Sequence, residues 1–200
     1  MNQLIPSALL FDMDGVLVDS FDSWLKSLNQ ALKHEPQKPI SKETFADEYW
    51  GYTLQENLER LGISKENAQF CTSFYDQYTD EIILFSGAKE TLEQLQRYPK
   101  AIITNTPKTC TQKILEKFNI QHHFSVRITS DQIEKGKPEP DMIFKACHKL
   151  HVKPDSVVLI GDTQNDIKAG HAAGCKTIGI KTEADYTIDS IKELLDIIKS

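Results

Sequence analysis

The stretch Leu9-Leu10-Phe11-Asp12-Met13-Asp14-Gly15-Val16-Leu17-Val18 (LLFDMDGVLV) sets two acids, two residues apart, inside an otherwise apolar run. Its flanks read as a strand buried on both faces. Ionised carboxylates in apolar surroundings are costly unless a partner compensates. The stretch therefore predicts a core strand that ends where something offsets two negative charges.

Working outward, short runs of the same kind recur. Ser7–Phe11, Ala101–Thr104, Val126–Thr129, Val157–Ile160 and Thr177–Ile180 are rich in Ile, Val or Leu and bounded by polar residues or glycine. That is the signature of strands covered on both faces. Helical patterns fall between and after them, near 87–97, 107–118, 139–150, 164–173 and 187–198. Pro107 suits a first helical turn. The alternation predicts an α/β protein, a Rossmann-like doubly wound parallel sheet.

One interval breaks the rhythm. Between Val18 and Ser86 no strand pattern stands out, only helical ones near 21–33, 42–61 and 64–80. Pro36 and Pro39 separate the first two, and Leu61-Gly62-Ile63-Ser64 reads as a C-cap followed by a new N-cap. The domain reading is a core of residues 1–18 and 86–200 with an inserted α-helical cap at 19–85.

Composition narrows the class. With 200 residues, 40% hydrophobic and 26% charged, the chain is an ordinary globular protein rather than a disordered one. Its net charge of −6 argues against nucleic acid or an anionic membrane as the main partner. The four cysteines, Cys71, Cys110, Cys147 and Cys175, are far apart and form no Cys-x-x-Cys pair, so they read as buried thiols of a reducing compartment. The N-terminus has no basic leader segment, and no apolar run approaches the ~20 residues of a membrane span. The expectation is a soluble cytoplasmic protein, monomer or homodimer.

In open α/β sheets, ligands bind beyond the carboxyl ends of the strands. The residues that follow the strands are Asp12-Met-Asp14-Gly15, Thr104-Asn105-Thr106, Lys135-Gly136-Lys137-Pro138 and Gly161-Asp162-Thr163-Gln164-Asn165-Asp166. Acids, a hydroxyl, an amide and a lysine would thus meet at one edge. An all-oxygen cluster of carboxylates suits Mg²⁺. Beside a lysine, a Thr hydroxyl and backbone N–H groups, such a site suits a phosphate. One carboxylate can attack phosphorus, and a second can protonate the leaving alkoxide and then deprotonate water.

Four ordered motifs, FDMDGVLVDS, ITNT, KGKPEP and GDTQNDI, span the chain. With them the sequence resembles the haloacid dehalogenase superfamily of phosphohydrolases, in the subgroup with an α-helical C1 cap that includes phosphoglycolate phosphatases and β-phosphoglucomutases. The resemblance implies Asp12 as nucleophile, Asp14 as general acid/base, Thr104 as the phosphate-binding hydroxyl and Lys137 as the neutralising lysine. It implies Asp12, Asp14, Asp162 and Asp166 around Mg²⁺, with Asp14 contributing its backbone carbonyl. An acid at Asp14 separates the chain from the true dehalogenases, and Ser86 stands where a hinge proline is expected. The resemblance also implies a cap that closes over the site and selects substrate.

Plainer readings apply to several positions. Thr163 and Asp166 have the spacing of a capping box, so Asp166 is a cap, a supporting acid or both. Asp19 and Ser20 read as N-cap residues. Asn105 either caps the following helix or offers its amide to phosphate. Tyr49, Trp50 and Tyr52 flank Gly51, and Trp50 and Tyr52 are candidates for substrate contact. The expected activity is Mg²⁺-dependent hydrolysis of a small phosphorylated metabolite through an aspartyl-phosphate, with phosphoglycolate, sugar phosphates or pyrophosphate as candidates. The alternatives are a phosphomutase of the β-phosphoglucomutase type and, from another class, a receiver-like signalling phosphoacceptor.

Overall fold

The computed structural model describes residues 3–33, 35, 38–63 and 65–199, with 65–70 described by their backbone alone. In chain order the strands are β1 (Ala8–Phe11), β2 (Val18–Asp19), β3 (Ile83–Leu84), β4 (Lys100–Thr104), β5 (Val126–Thr129), β6 (Val157–Gly161), β7 (Lys176–Ile180) and β8 (Tyr186–Ile188). The α-helices are α1 (Phe21–Leu32), α2 (Lys42–Glu48), α3 (Leu54–Arg60), α4 (Lys65–Tyr78), α5 (Ala88–Gln94), α6 (Lys108–Lys117), α7 (Asp141–Leu150), α8 (Gln164–Ala173) and α9 (Leu194–Ile197).

Six of the described strands form one sheet in the order β5-β4-β1-β6-β7-β8, with every pairing parallel. All five strands expected from sequence are in it. β1 is central because its residues are apolar on both sides of the pleat. Leu9 and Phe11 join the core under α5, α6 and α9, while Ala8 and Leu10 join the core under α7 and α8. The chain leaves β1 toward β4 and later returns to β6 on its other side. The topological switch point therefore lies between β1 and β6, where Asp12 and Asp162 emerge.

Helices α1–α4 lie in the chain between β2 and β3 and make an insert in the sheet's connectivity. Their core is continuous with one face of the sheet, since Trp24, Leu28, Phe45 and Tyr75 are buried in the same cluster as Phe11 and Met13. Full burial of one such side chain contributes about 2 kcal/mol, so the insert is held by apolar packing as well as by its two chain crossings. Those crossings are β2 and β3, a two-residue antiparallel pair joining Val18 to Leu84 and Asp19 to Ile83. Sequence predicts no strand there, because two residues carry no periodicity.

Three other expectations are corrected. The helix read at 42–61 is two, α2 and α3, broken at Gly51, whose φ of 81° an L-residue rarely adopts. Thr53 then starts α3 with a capping box to Glu56. The final helix read at 187–198 is broken up: Tyr186–Ile188 extends the sheet, Ile191–Glu193 is a 3₁₀ turn, and only Leu194–Ile197 is α-helical. Pro107 occupies the N-cap of α6 rather than its first turn. Gly62, in the left-handed region, follows the end of α3 as read, whereas Ser64 and Pro36 lie outside the described residues. The four cysteines are buried free thiols. Among the described residues no helix is long and apolar enough to cross a membrane.

Candidate active site

Asp12 leaves β1 still bonded to the sheet, its N–H donating to the Ile160 carbonyl at 2.9 Å. Gly15 follows with φ 78°, and a Cβ there would fall 2.0 Å from Asp162 Oδ2. A side chain at position 15 would thus separate the two strand ends. Without one, carboxylate oxygens of Asp12, Asp162 and Asp166 lie within 4.8 Å of one another. Into this cluster comes Lys137, itself buried, with Nζ 2.9 Å from Asp12 Oδ1 and 2.6 Å from Asp166 Oδ1, and donating to the Ile103 carbonyl at 3.1 Å. Asp12 Oδ1 thus has the buried Lys137 ammonium beside it as a charge partner.

Three carboxylates face one ammonium, and the electrostatics follow. Burial pushes the Asp12 carboxyl up; Lys137 opposes this, Asp166 and Asp14 add to it, and the result is about 7. Burial, then Asp166 and Asp12, hold Asp162 well above the carboxylate range against the Trp50 hydrogen bond and Lys137. For Lys137 burial acts downward, but Asp12 and Asp166 outweigh it and hold the ammonium above its ordinary value. The cluster is short of positive charge. Asp162 Oδ1 is buried without a hydrogen-bond partner among the described residues, and Asp12 Oδ1 has only the Lys137 ammonium beside it. Hard oxygen donors in this state suit Mg²⁺.

Asp14 is held apart from the cluster. Its carboxylate accepts from Ser20 Oγ, from Thr106 Oγ1 at 2.7 Å and, weakly, from Thr104 Oγ1 at 3.4 Å. Burial raises its carboxyl, while the hydrogen bonds of Ser20, Thr106 and Trp24 pull the other way without reversing the shift. Ser20 does sit at the N-cap of α1, as read, but its hydroxyl serves Asp14 and makes no cap hydrogen bond. The roles of Ser20 and Thr106 were not evident from sequence. The one available signal was strand periodicity, which sends Thr104 and Thr106 in the same direction.

The remaining candidates have defined places. Asp166 accepts from the Thr163 N–H at 3.1 Å and hydroxyl at 2.7 Å through one oxygen and from Lys137 through the other, so it caps α8 and pairs with the lysine together. Asn105 spends its side-chain amide on the Gly51 and Lys137 carbonyls, at 2.8 and 3.0 Å, and its Oδ1 on the Lys137 N–H at 3.0 Å. It neither caps α6 nor leaves a side-chain N–H for an anion. From the insert, Trp50 Nε1 donates to Asp162 Oδ2 at 3.0 Å, and Tyr52 lies under the Arg60 guanidinium at 3.7 Å from its ring centre. Both rings wall a void of about 40 Å³ above the acids.

A doubly wound parallel sheet whose switch point gathers acids around a buried lysine, roofed by a helical insert, defines an α/β enzyme. The sequence model of the family described as haloacid dehalogenase-like hydrolase matches residues 9–180, and the chain belongs to that family. Over 195 residues it is 32% identical to the phosphoglycolate phosphatase of Mannheimia succiniciproducens, covering 89% of this chain and 87% of that one. In fold it is similar to CbbY of Rhodobacter sphaeroides, solved with phosphate, at TM-score 0.85 and 22% identity over 95% of this chain and 96% of that one. It is also similar to β-phosphoglucomutase of Clostridium difficile, at TM-score 0.85 and 20% identity over 95% and 93%.

Proposed function

We propose that this hydrolase is a Mg²⁺-dependent phosphatase of small phosphomonoesters, phosphoglycolate-like in size, working through an aspartyl-phosphate on Asp12. Its class, phosphoric monoester hydrolase, rests on the family and on the named relative. The single observation that carries the finer reading is the meeting of Asp12, Asp162 and Asp166 around Lys137 while Asp14 is held separately by hydroxyls.

Asp12, Asp162 and Asp166 would hold Mg²⁺; the Asp14 carboxylate is turned to its hydroxyl donors, leaving its backbone for that role. The bound ion would supply positive charge against the phosphoryl oxygens. A carboxylate oxygen of Asp12 attacks phosphorus as the bond to the leaving oxygen breaks. Asp14, its carboxyl raised by burial, gives its proton to that oxygen and afterwards takes one from the water that opens the aspartyl-phosphate. Lys137 offsets charge, and the Thr104 hydroxyl and the backbone at Asn105 hold phosphate oxygens. Residues 19–85 act as the cap, with Trp50 and Tyr52 facing the organic part of the substrate. The phosphoryl group would enter the void between the acids and the insert, which Asp12, Asp14, Thr104 and Lys137 line.

A panel of phosphorylated metabolites, scored for phosphate release with Mg²⁺ and with EDTA, tests the reading. Release from a small monoester, lost in EDTA and in Asp12→Asn, is the expected result. Turnover surviving either change would remove the metal or the nucleophile from the reading. Isomer formation without phosphate release would assign the chain to the mutases.

A further inference from the structure

We infer that Trp50 is a positioning residue that couples divalent-cation binding in the core to docking of the insert, each strengthening the other. The inference rests on the reading of Asp12, Asp162 and Asp166 as metal ligands, and it concerns a residue 112 positions away from the one it acts on.

An indole N–H is a donor only, so it can hold a carboxylate but cannot compete for a cation. At 3.0 Å it takes Asp162 Oδ2 and leaves Oδ1 as the oxygen without a hydrogen-bond partner among the described residues. Donors that orient a ligating carboxylate in this way typically change metal affinity about 10–100-fold when removed. Here the donor belongs to the insert rather than the core. The Trp50 ring packs on Phe21 and Phe45, with ring centres 5.2 and 5.9 Å away, so its position follows that of α1 and α2.

The loop carrying Trp50 is clamped to the core by a second, independent set of bonds. The Gly51 carbonyl accepts from Asn105 Nδ2 at 2.8 Å and from Asn165 Nδ2 at 3.1 Å. Undocking the loop therefore withdraws the indole from Asp162. Docking and cation binding then share one free energy of coupling, which must act equally in both directions. The closed insert completes the cation site, and the cation holds the insert closed.

Isothermal titration of MgCl₂ into the full chain without substrate tests this. Trp50→Phe keeps an aromatic ring between Phe21 and Phe45 but removes the donor, and is expected to weaken Mg²⁺ binding about tenfold or more. Asn165→Ala keeps the indole donor but removes one clamp on Gly51, so the loop undocks more readily and Mg²⁺ binding is expected to weaken in the same direction. Hydrogen exchange gives the reciprocal measurement: Mg²⁺ should slow exchange at residues 49–53 in the wild type and not in Trp50→Phe. Unchanged Mg²⁺ affinity in either variant, or exchange at 49–53 indifferent to Mg²⁺ in the wild type, overturns the coupling. A wild-type chain that takes up no Mg²⁺ would instead refute the metal reading on which the coupling rests.

Discussion

The ammonium of Lys137 stands 2.6 Å from Asp166 Oδ1, and both side chains are buried. Breaking a buried pair of this kind strands an uncompensated charge, at a cost of about 3–5 kcal/mol. Here the stranded charge would be larger, because the same ammonium is 2.9 Å from Asp12 Oδ1. Lys137→Met is therefore expected to abolish phosphate release and to lower stability at pH 8 in EDTA by about 3 kcal/mol or more. The loss should shrink at pH 5, where the Asp12 carboxyl is protonated and needs no partner, and in Mg²⁺. Urea denaturation at the two pH values, with and without Mg²⁺, checks it; a loss independent of both would mean Lys137 acts by packing alone.

The raised Asp12 carboxyl has a consequence of fixed sign. Its folded value of about 7 lies above the ordinary Asp value. Between roughly pH 4 and 7 the folded state then binds more protons at this site than the unfolded one, so stability falls as pH rises through that window and levels off above it. Asp12→Asn removes the effect. In EDTA, the difference in urea midpoint between Asp12→Asn and wild type should widen from pH 4 to pH 7, in favour of the variant. A difference that narrows over that window would contradict the raised carboxyl.

Asp14 and its hydroxyl donors predict a change in pH profile. The Thr106 hydrogen bond, 2.7 Å long, favours the ionised carboxylate and opposes the upward effect of burial. Thr106→Val should move the limb of the kcat/KM profile that reports Asp14 to higher pH. It should also lower kcat about tenfold, the worth of one hydrogen bond to a charged group. Thr106→Ser, which keeps the hydroxyl, should restore both. A lower kcat with an unmoved limb would leave Thr106 a packing role only.

Most of this architecture was legible in the sequence for a physical reason. Strands buried on both faces must be continuously apolar, so β1, β4, β5, β6 and β7 declare themselves, and the residues after them are automatically at one edge. The edge strand β8 did not, because Tyr186-Thr187-Ile188 is short and its polar surroundings read equally well as a helix start. Ser20 was legible as an N-cap because a serine before a helix usually is one; only the fold brings the Asp14 carboxylate within reach of its hydroxyl. Trp50 offers no local signal at all for its bond to Asp162, since that bond exists only once the insert has folded back over the sheet.

Gly51 predicts how finely that folding back is set. Its φ of 81° costs an L-residue about 1–2 kcal/mol. A Cβ there would also sit 2.9 Å from Thr163 Cγ2, on the turn between Asp162 and α8, the helix that carries Asp166. Gly51→Ala must therefore push the loop off the core or accept strain, and the loop is the softer of the two because Asn105 and Asn165 hold it by single hydrogen bonds. The variant is expected to fold, to lose about 1 kcal/mol of stability and to lose about tenfold or more in kcat/KM, since a misplacement of about 1 Å can cost 10²-fold. Thermal denaturation and steady-state kinetics on the same preparation separate the two effects. A variant that loses the stability but keeps its kcat/KM would show that the loop need not lie against Thr163 for catalysis.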